Sequence, residues 1–241
     1  MLVIIETLLA LIIVLLILAA AAFFLCPLKE VAVEGTDLYT SDEIKGYILD
    51  DEYSNNTLYA FVKNKLFPKG DAEFIDHFDV KMNSINSLTI ICKEKRILGY
   101  LQGEDGKYIY FNYDGTIVEI SETFVDRGYM KVEGVSCEAP EVGSKLAIGE
   151  EEMGYLTSLI KLLHKNDLMP NGVSYDENSR ITLSYDTYSI ALGSSVYLEE
   201  KIDRVMRILP QLDGLRGTLH LENYSNSSTD IVFEKDKASE E

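Results

Sequence analysis

The first 25 residues constrain this chain more than any other segment, because they form an almost unbroken apolar run. Between Leu2 and Leu25 only Glu6 and Thr7 are not apolar, and from Leu8 onward the run contains no polar side chain. A helix that crosses a bilayer needs roughly 20 apolar residues at about 1.5 Å rise per residue. The run therefore predicts a transmembrane helix that includes Leu2, Leu8 and Leu25.

Two other interpretations of this segment were weighed. The small residues at 19–22 are typical of a signal-peptidase site, but no Lys or Arg precedes the apolar run, which continues through residues 23–25. A lipoprotein cysteine at Cys26 would need a small residue before it, and the chain has a leucine there. We therefore expect an uncleaved signal-anchor helix over residues 1–26.

The charge of the rest of the chain bears on its partners, and its length bears on its side of the membrane. The net charge is −18, and Glu6 is the only charged residue before Cys26, which leaves −17 on the remainder. A long folded region behind a signal-anchor is translocated largely regardless of its charge. We expect a single-pass, type II protein of the cell membrane with its bulk outside the cytoplasm. Nucleic acid is excluded as a partner because so acidic a surface repels phosphate.

The first region after the anchor, residues 27–100, alternates short strand and helix patterns. Thr40-Ser41-Asp42-Glu43 has the sequence of a capping box, in which side chains at both ends bond free backbone N–H groups at a helix start. The predicted order is strand, helix, helix, strand, strand. The remaining elements are the strand 31–35, the helix 58–66 and the strands 74–82 and 87–92.

The second region, residues 101–233, is predicted to be a larger mixed β-sheet domain with helices. Its clearest helix runs from Glu150 to Lys165, and Ser195 is expected to cap a second helix that ends at Leu209. Closing strands are expected at 218–221 and 230–233, followed by a disordered tail at 234–241. The fold class is therefore α+β.

No pattern of catalytic or ligand residues is found along the chain. The histidines lie far apart, and Gly193-Ser194-Ser195 lacks the second glycine of a nucleophile elbow. The acidic clusters at 50–52 and 176–178 do not follow the spacing of a calcium loop. We expect no enzymatic activity, no cofactor and no metal. Pairing of Cys92 with Cys137 is left open.

Several short motifs together make the chain resemble the bacterial cell-division family called FtsQ in Gram-negative and DivIB in Gram-positive organisms. Val31 to Gly35, Thr40 to Ile44 and Leu88 to Arg96 resemble the POTRA domain that follows the anchor in that family. His220 stands where the family has an aspartate. The other motifs lie at 108–115, 142–146, 190–193, 200–202 and 217–221.

The resemblance implies a non-enzymatic division scaffold at the septum. It implies binding of two small single-span coiled-coil proteins, an FtsL-like and an FtsB/DivIC-like partner, and recruitment or regulation of septal peptidoglycan synthesis. In this family the last strand of the second domain is an open edge to which a partner adds a strand. The matching residues here are Asp230, Ile231, Val232 and Phe233.

Two other functions were considered. One is a POTRA-type module that captures extended polypeptides during protein transport, but that class usually carries repeated POTRA units before a membrane barrel. The other is a membrane-tethered hydrolase, which is disfavoured because the sequence lacks converging catalytic motifs.

Overall fold

The computed structural model describes residues 2–135, 137, 139–212, 214–225 and 231–236, except for the side chains of residues 2, 3, 19, 22 and 23. The chain divides into two compact units, Met1–Lys95 and Arg96–Glu241. Each unit has its own cluster of buried apolar side chains.

The first unit begins with a 24-residue helix, α1 (Leu2–Leu25). Large apolar side chains along this helix are exposed, among them Leu8, Leu15 and Phe24. Among the residues that the structure describes, no helix is both long enough and apolar enough to cross a membrane. The transmembrane helix over residues 1–26 therefore stays a prediction.

A three-stranded sheet with two helices forms the rest of the first unit. The strands lie in the order β1-β3-β2, with β1 parallel and β2 antiparallel to the central β3. The order along the chain is the predicted strand, helix, helix, strand, strand. The elements are β1 (Glu30–Glu34), α2 (Ser41–Ile48), α3 (Thr57–Leu66), β2 (Ile75–Ser84) and β3 (Ser87–Glu94).

Side-chain caps determine where α2 and α3 begin. The Thr40 hydroxyl accepts from the Glu43 N–H at 3.3 Å, and the Glu43 carboxylate accepts from the Thr40 N–H at 2.7 Å. The predicted capping box is thus confirmed, and the backbone bond from Thr40 lowers the pKa of Glu43. At α3, the Asn56 side chain accepts from the Tyr59 N–H at 2.9 Å.

A network of ion pairs connects the two helices outside the core. The Lys63 ammonium lies 2.6 Å from Asp50 Oδ1 and 2.7 Å from Asp51 Oδ2, and Lys69 also contacts Asp50. Hydrogen bonds from these lysines lower the pKa of Asp50 to about 2, and the Lys63 bond lowers the pKa of Asp51 further. Two residues of the acidic cluster at 50–52, which the sequence places in a solvated turn, are in this way bound to α3.

The second unit is built on one nine-stranded mixed sheet. The strand order is β12-β11-β10-β9-β8-β7-β4-β5-β6, with parallel pairs at β10–β11, β7–β8 and β4–β7. The strands are β4 (Gly99–Gln102), β5 (Tyr108–Phe111), β6 (Ile117–Ser121), β7 (Met130–Glu133), β8 (Gly172–Tyr175), β9 (Ile181–Ser184), β10 (Tyr188–Gly193), β11 (Gly217–His220) and β12 (Val232–Lys235).

Two helices supply the apolar layer that packs on this sheet. They are α4 (Glu150–Lys165) and α5 (Leu198–Ile208), the second followed by a 3-10 turn at Leu209–Gln211. Alternate strand residues such as Leu183, Ile190 and Leu219 are buried in the same cluster as side chains from both helices. The alternation follows from the two-residue period of a strand.

The predicted α+β class with a large mixed sheet is confirmed, and α4 has its predicted bounds. The second helix differs from the prediction, since it begins at Leu198 after Tyr197 and not after a Ser195 cap. The predicted boundary between residues 100 and 101 falls inside β4. Asp230, at the start of the last predicted strand, lies outside the described residues.

The α3 cap gives the first testable prediction. Asn56→Ala is expected to lower the free energy of unfolding of the first unit by about 1–2 kcal/mol, because an N-cap replaced by alanine loses its bond to the first turn. Thermal unfolding of the full chain in detergent would measure this change. Asn55→Ala is the matched control, since Asn55 is exposed and uses its backbone carbonyl in the fold. Equal losses in both variants would contradict the capping role.

Candidate functional site

The strongest candidate for a functional site is the end of the nine-stranded sheet at β12. This strand runs antiparallel to β11, with Leu219 opposite Phe233 and His220 opposite Val232. Among the described strands, β11 is the one neighbour that β12 has. The other side of β12 is therefore a sheet edge.

The backbone of β12 divides its hydrogen-bonding groups between the two sides. The Asp236 N–H donates to the Arg216 carbonyl at 3.1 Å, which makes these two residues a hydrogen-bonded antiparallel pair. Because such pairs alternate along the ladder, Glu234 and Val232 also bond toward β11. The N–H and C=O groups of Phe233 and Lys235 point away from the sheet, where another strand would meet them.

Two features hold β12 in place on its inner side. The Phe233 side chain is half-buried against the core of the second unit, and Ile231 packs there as well. At Gly217 a Cβ atom would overlap the Glu234 carbonyl oxygen. The missing side chain thus allows the two strands to approach closely, and φ at Gly217 is +151°.

The face of the edge away from the core is acidic. Glu234 is exposed, and its Oε2 lies 3.4 Å from His220 Nε2, while His220 Nδ1 lies 2.8 Å from Glu222 Oε1. Val232 is 58% exposed on the same face. Within the described residues, His220 Nε2 and Glu222 Oε2 are buried without a hydrogen-bond partner. This histidine lies between two carboxylates.

A buried lysine fixes the chain next to this edge. Lys201 on α5 is 1% exposed, and its ammonium donates to the carbonyls of Leu192 at 2.7 Å and Ser194 at 2.9 Å. Burial lowers the pKa of Lys201, and the nearby Glu222 carboxylate opposes that shift. The bonds secure the turn that leads from β10 into α5.

Sequence reasoning missed Lys201, because lysine is almost never fully buried. Its position in the motif at 200–202 is the one signal that points to it.

The site residues predicted from the sequence only partly overlap the observed strand. Val232 and Phe233 lie in β12, and Ile231 directly precedes it. The strand extends to Lys235 and so includes two charged residues that the sequence prediction assigned to the tail. Register explains the difference, since Gly217 and Thr218 of β11 pair with Lys235 and Glu234.

Other parts of the second unit contain cavities but no activated nucleophile among the described residues. Two cavities, of about 490 and 520 Å³, lie beside Cys137 and beside Asp114. Burial raises the pKa of the Cys137 thiol, which disfavours its nucleophilic form, and Asp114 is paired with Lys145 at 3.4 Å. Neither arrangement activates a nucleophile.

The remaining candidate groups are also separate from one another. His77 is paired with Asp76 at 2.7 Å, and His164 is exposed in the last turn of α4. Cys26, Cys92 and Cys137 are free thiols. In the part of the chain that the structure describes, no group of three His, Cys, Asp or Glu residues could hold a metal ion.

Comparison with known proteins gives a distant relative from cell division. The cell division protein DivIB of Clostridium tetani (strain Massachusetts / E88) is 24% identical over 190 residues, which cover 75% of this chain and 69% of that protein. No family model matches the chain. The relative confirms the resemblance to the FtsQ/DivIB family as a distant one.

The close approach at Gly217 gives the second prediction. Gly217→Ala is expected to push β12 away from β11 and to speed amide exchange at Glu234 and Asp236 by about tenfold or more, since such overlap costs about 1–3 kcal/mol. Hydrogen exchange read by mass spectrometry would measure it. Gly172→Ala is the control, because a Cβ in β8 would make an ordinary 3.5 Å contact with the Lys131 carbonyl. Unchanged exchange in β12 would contradict the proposed role of Gly217.

Proposed function

We propose that this chain is a non-enzymatic, membrane-anchored scaffold of cell division whose β12 edge binds small single-span division proteins. The similarity to DivIB supports a role in cell division. The observation that carries the proposal is the free side of β12, where the backbone groups of Phe233 and Lys235 point outward. The partners are FtsL-like and FtsB/DivIC-like proteins, through which the chain would help to recruit or regulate septal peptidoglycan synthesis.

Strand addition explains how such an edge binds. An extended segment that pairs with β12 forms backbone hydrogen bonds worth about 0.5–1.5 kcal/mol each, and side chains at alternate positions provide specificity. Val232 offers an apolar contact on the outer face, and Glu234 and Glu222 favour a basic side chain nearby. The partner segment is therefore expected to alternate apolar and basic residues on that face.

We infer the position of the scaffold in the cell from its N-terminal helix. The large apolar side chains of α1 that the structure describes are exposed along the whole helix, as in a helix that lies in an apolar environment. We place this helix in the cell membrane, with the acidic remainder of the chain outside the cytoplasm and at the division septum. The strand, helix, helix, strand, strand order of the first unit supports a POTRA domain after the anchor.

Proline at the edge tests strand addition directly. Lys235→Pro removes an outward-facing N–H from an exposed position, so it is expected to weaken binding of the DivIC-like partner by about three- to tenfold while the unfolding temperature changes little. Lys235→Ala is the control, because it removes the same charge and keeps the N–H. Pull-down with the purified partner would measure the difference. Equal binding by the two variants would rule out strand addition at this edge.

Deletion of the strand is the coarser test. Truncation after Thr229 is expected to abolish capture of the DivIC-like partner and to leave the rest of the sheet folded, which circular dichroism would verify. Retained capture would show that the partner binds elsewhere.

Localisation tests the cellular role independently of the edge. A fluorescent fusion of the full chain is expected to concentrate at mid-cell during division. An even distribution around the membrane of dividing cells would count against the scaffold function.

A further inference from the structure

Hydrogen bonds connect the end of α1 to the first unit. The Thr57 N–H donates to the Cys26 carbonyl at 2.8 Å, and the Asn86 side chain donates to the Pro27 carbonyl at 2.7 Å. The first bond comes from the start of α3, and the second comes from the β2–β3 turn at 85–86. Both structures therefore lie at the exit of α1, where Cys26 is buried.

The turn at this exit presents an apolar side chain to its surroundings. Ile85 is 57% exposed, although two-residue turns favour Gly, Asn, Asp and Ser. Neither Ile85 nor Asn86 has a positive φ, so the turn geometry does not select the isoleucine. A single exposed apolar residue is common on protein surfaces, and its position relative to other groups decides its meaning.

A second exposed side chain, which is amphipathic, lies in the segment that leads into α3. Tyr53 is 51% exposed, with its ring 5.8 Å from the ring of Tyr59. Tyrosine is enriched where a membrane meets water, because its ring is apolar and its hydroxyl is polar. Leu25, the last residue of α1, is exposed at the same junction.

Charge near the junction does not oppose contact with lipid as strongly as the net charge suggests. Of the three acidic side chains that precede Tyr53, Asp50 and Asp51 are paired with Lys63 and Lys69, and Glu52 is exposed. The pairing reduces repulsion between this part of the chain and anionic headgroups.

We propose that the β2–β3 turn and Tyr53 form a membrane-contact surface, in which Ile85 inserts into the interfacial layer of the bilayer that holds α1. The proposal rests on the membrane anchor proposed above. The turn and the start of α3 are bonded to the exit of α1, so a bilayer that ends near Leu25 meets Ile85 and Tyr53 first. Burial of their apolar surface supplies the binding energy, at roughly 25 cal/mol per Å².

The absence of tryptophan from the sequence makes a site-specific test available. Single-tryptophan variants of the full chain would be placed in nanodiscs of phosphatidylcholine with brominated acyl chains, which quench tryptophan fluorescence. The variants are Ile85→Trp, Leu15→Trp in the middle of α1, and Asp76→Trp. Asp76 is exposed on β2 about 30 Å along the chain from Ile85, at roughly 3.3 Å per residue, and is the matched control.

Quenching of Leu15→Trp and Ile85→Trp but not of Asp76→Trp would support the proposal. Quenching of Leu15→Trp alone would overturn the membrane-contact surface and leave the anchor intact. If Leu15→Trp is not quenched, the anchor and this proposal both fail. Equal quenching of Ile85→Trp and Asp76→Trp would show that lipid contact is not specific to the turn.

A second variant excludes an effect of the introduced tryptophan, which itself favours interfaces. In a Tyr53→Trp chain, the native Ile85 is retained, and bromolipid quenching reports on lipid contact at the junction. Adding Ile85→Asp is expected to remove most of that quenching, because a carboxylate at the turn opposes insertion. Adding Asp76→Asn to the Tyr53→Trp chain is the control and is expected to leave the quenching unchanged. Quenching that survives Ile85→Asp would overturn the role of Ile85.

Discussion

The backbone ladder between β11 and β12 is the interaction on which the candidate site depends. A strand can form backbone hydrogen bonds along both of its sides. In β12, the N–H and C=O groups of Glu234 and of its alternate neighbours bond to β11 along one side. Phe233 anchors the strand to the core while its own N–H and C=O point outward. A partner strand therefore meets backbone groups that are already ordered, and the entropy cost of binding falls mainly on the partner.

Polar groups behind this edge connect strands of the sheet to α5. A buried ammonium is costly unless its donors are satisfied, and Lys201 donates to two carbonyls at the end of β10. Replacing it with an apolar residue would leave these carbonyls unbonded. Glu222 opposes the lowering of the Lys201 pKa and also contacts His220 on β11. The same charges thus connect α5, β10 and β11, of which β11 pairs with β12.

The sequence predicted those elements whose signals are local. The capping box at Thr40 and the helix α4, with three glutamates in its first turn, needed no distant contact to be recognised. The start of α5 was predicted wrongly, since Tyr197 in a left-handed conformation and not Ser195 precedes the helix. The extent of β12 also could not be predicted from the sequence, because Glu234 and Lys235 become strand residues only through pairing with β11. Tertiary pairing decided the extent of β12.

A helix in a bilayer fixes the height of the domain attached to it but leaves the tilt of that domain against the membrane plane variable. The bonds at Cys26 and Pro27 make the rest of the first unit follow α1, so a tilt of the helix tilts the whole unit. A bilayer is the same in every direction of its plane, so a second contact with lipid selects a tilt and not a rotation about the membrane normal. If Ile85 inserts as proposed, tilts that bury its side chain are favoured over tilts that expose it, and a modest difference in free energy is enough to shift the population between them. An anchor with two points of contact would therefore restrict the tilt of the first unit on the membrane.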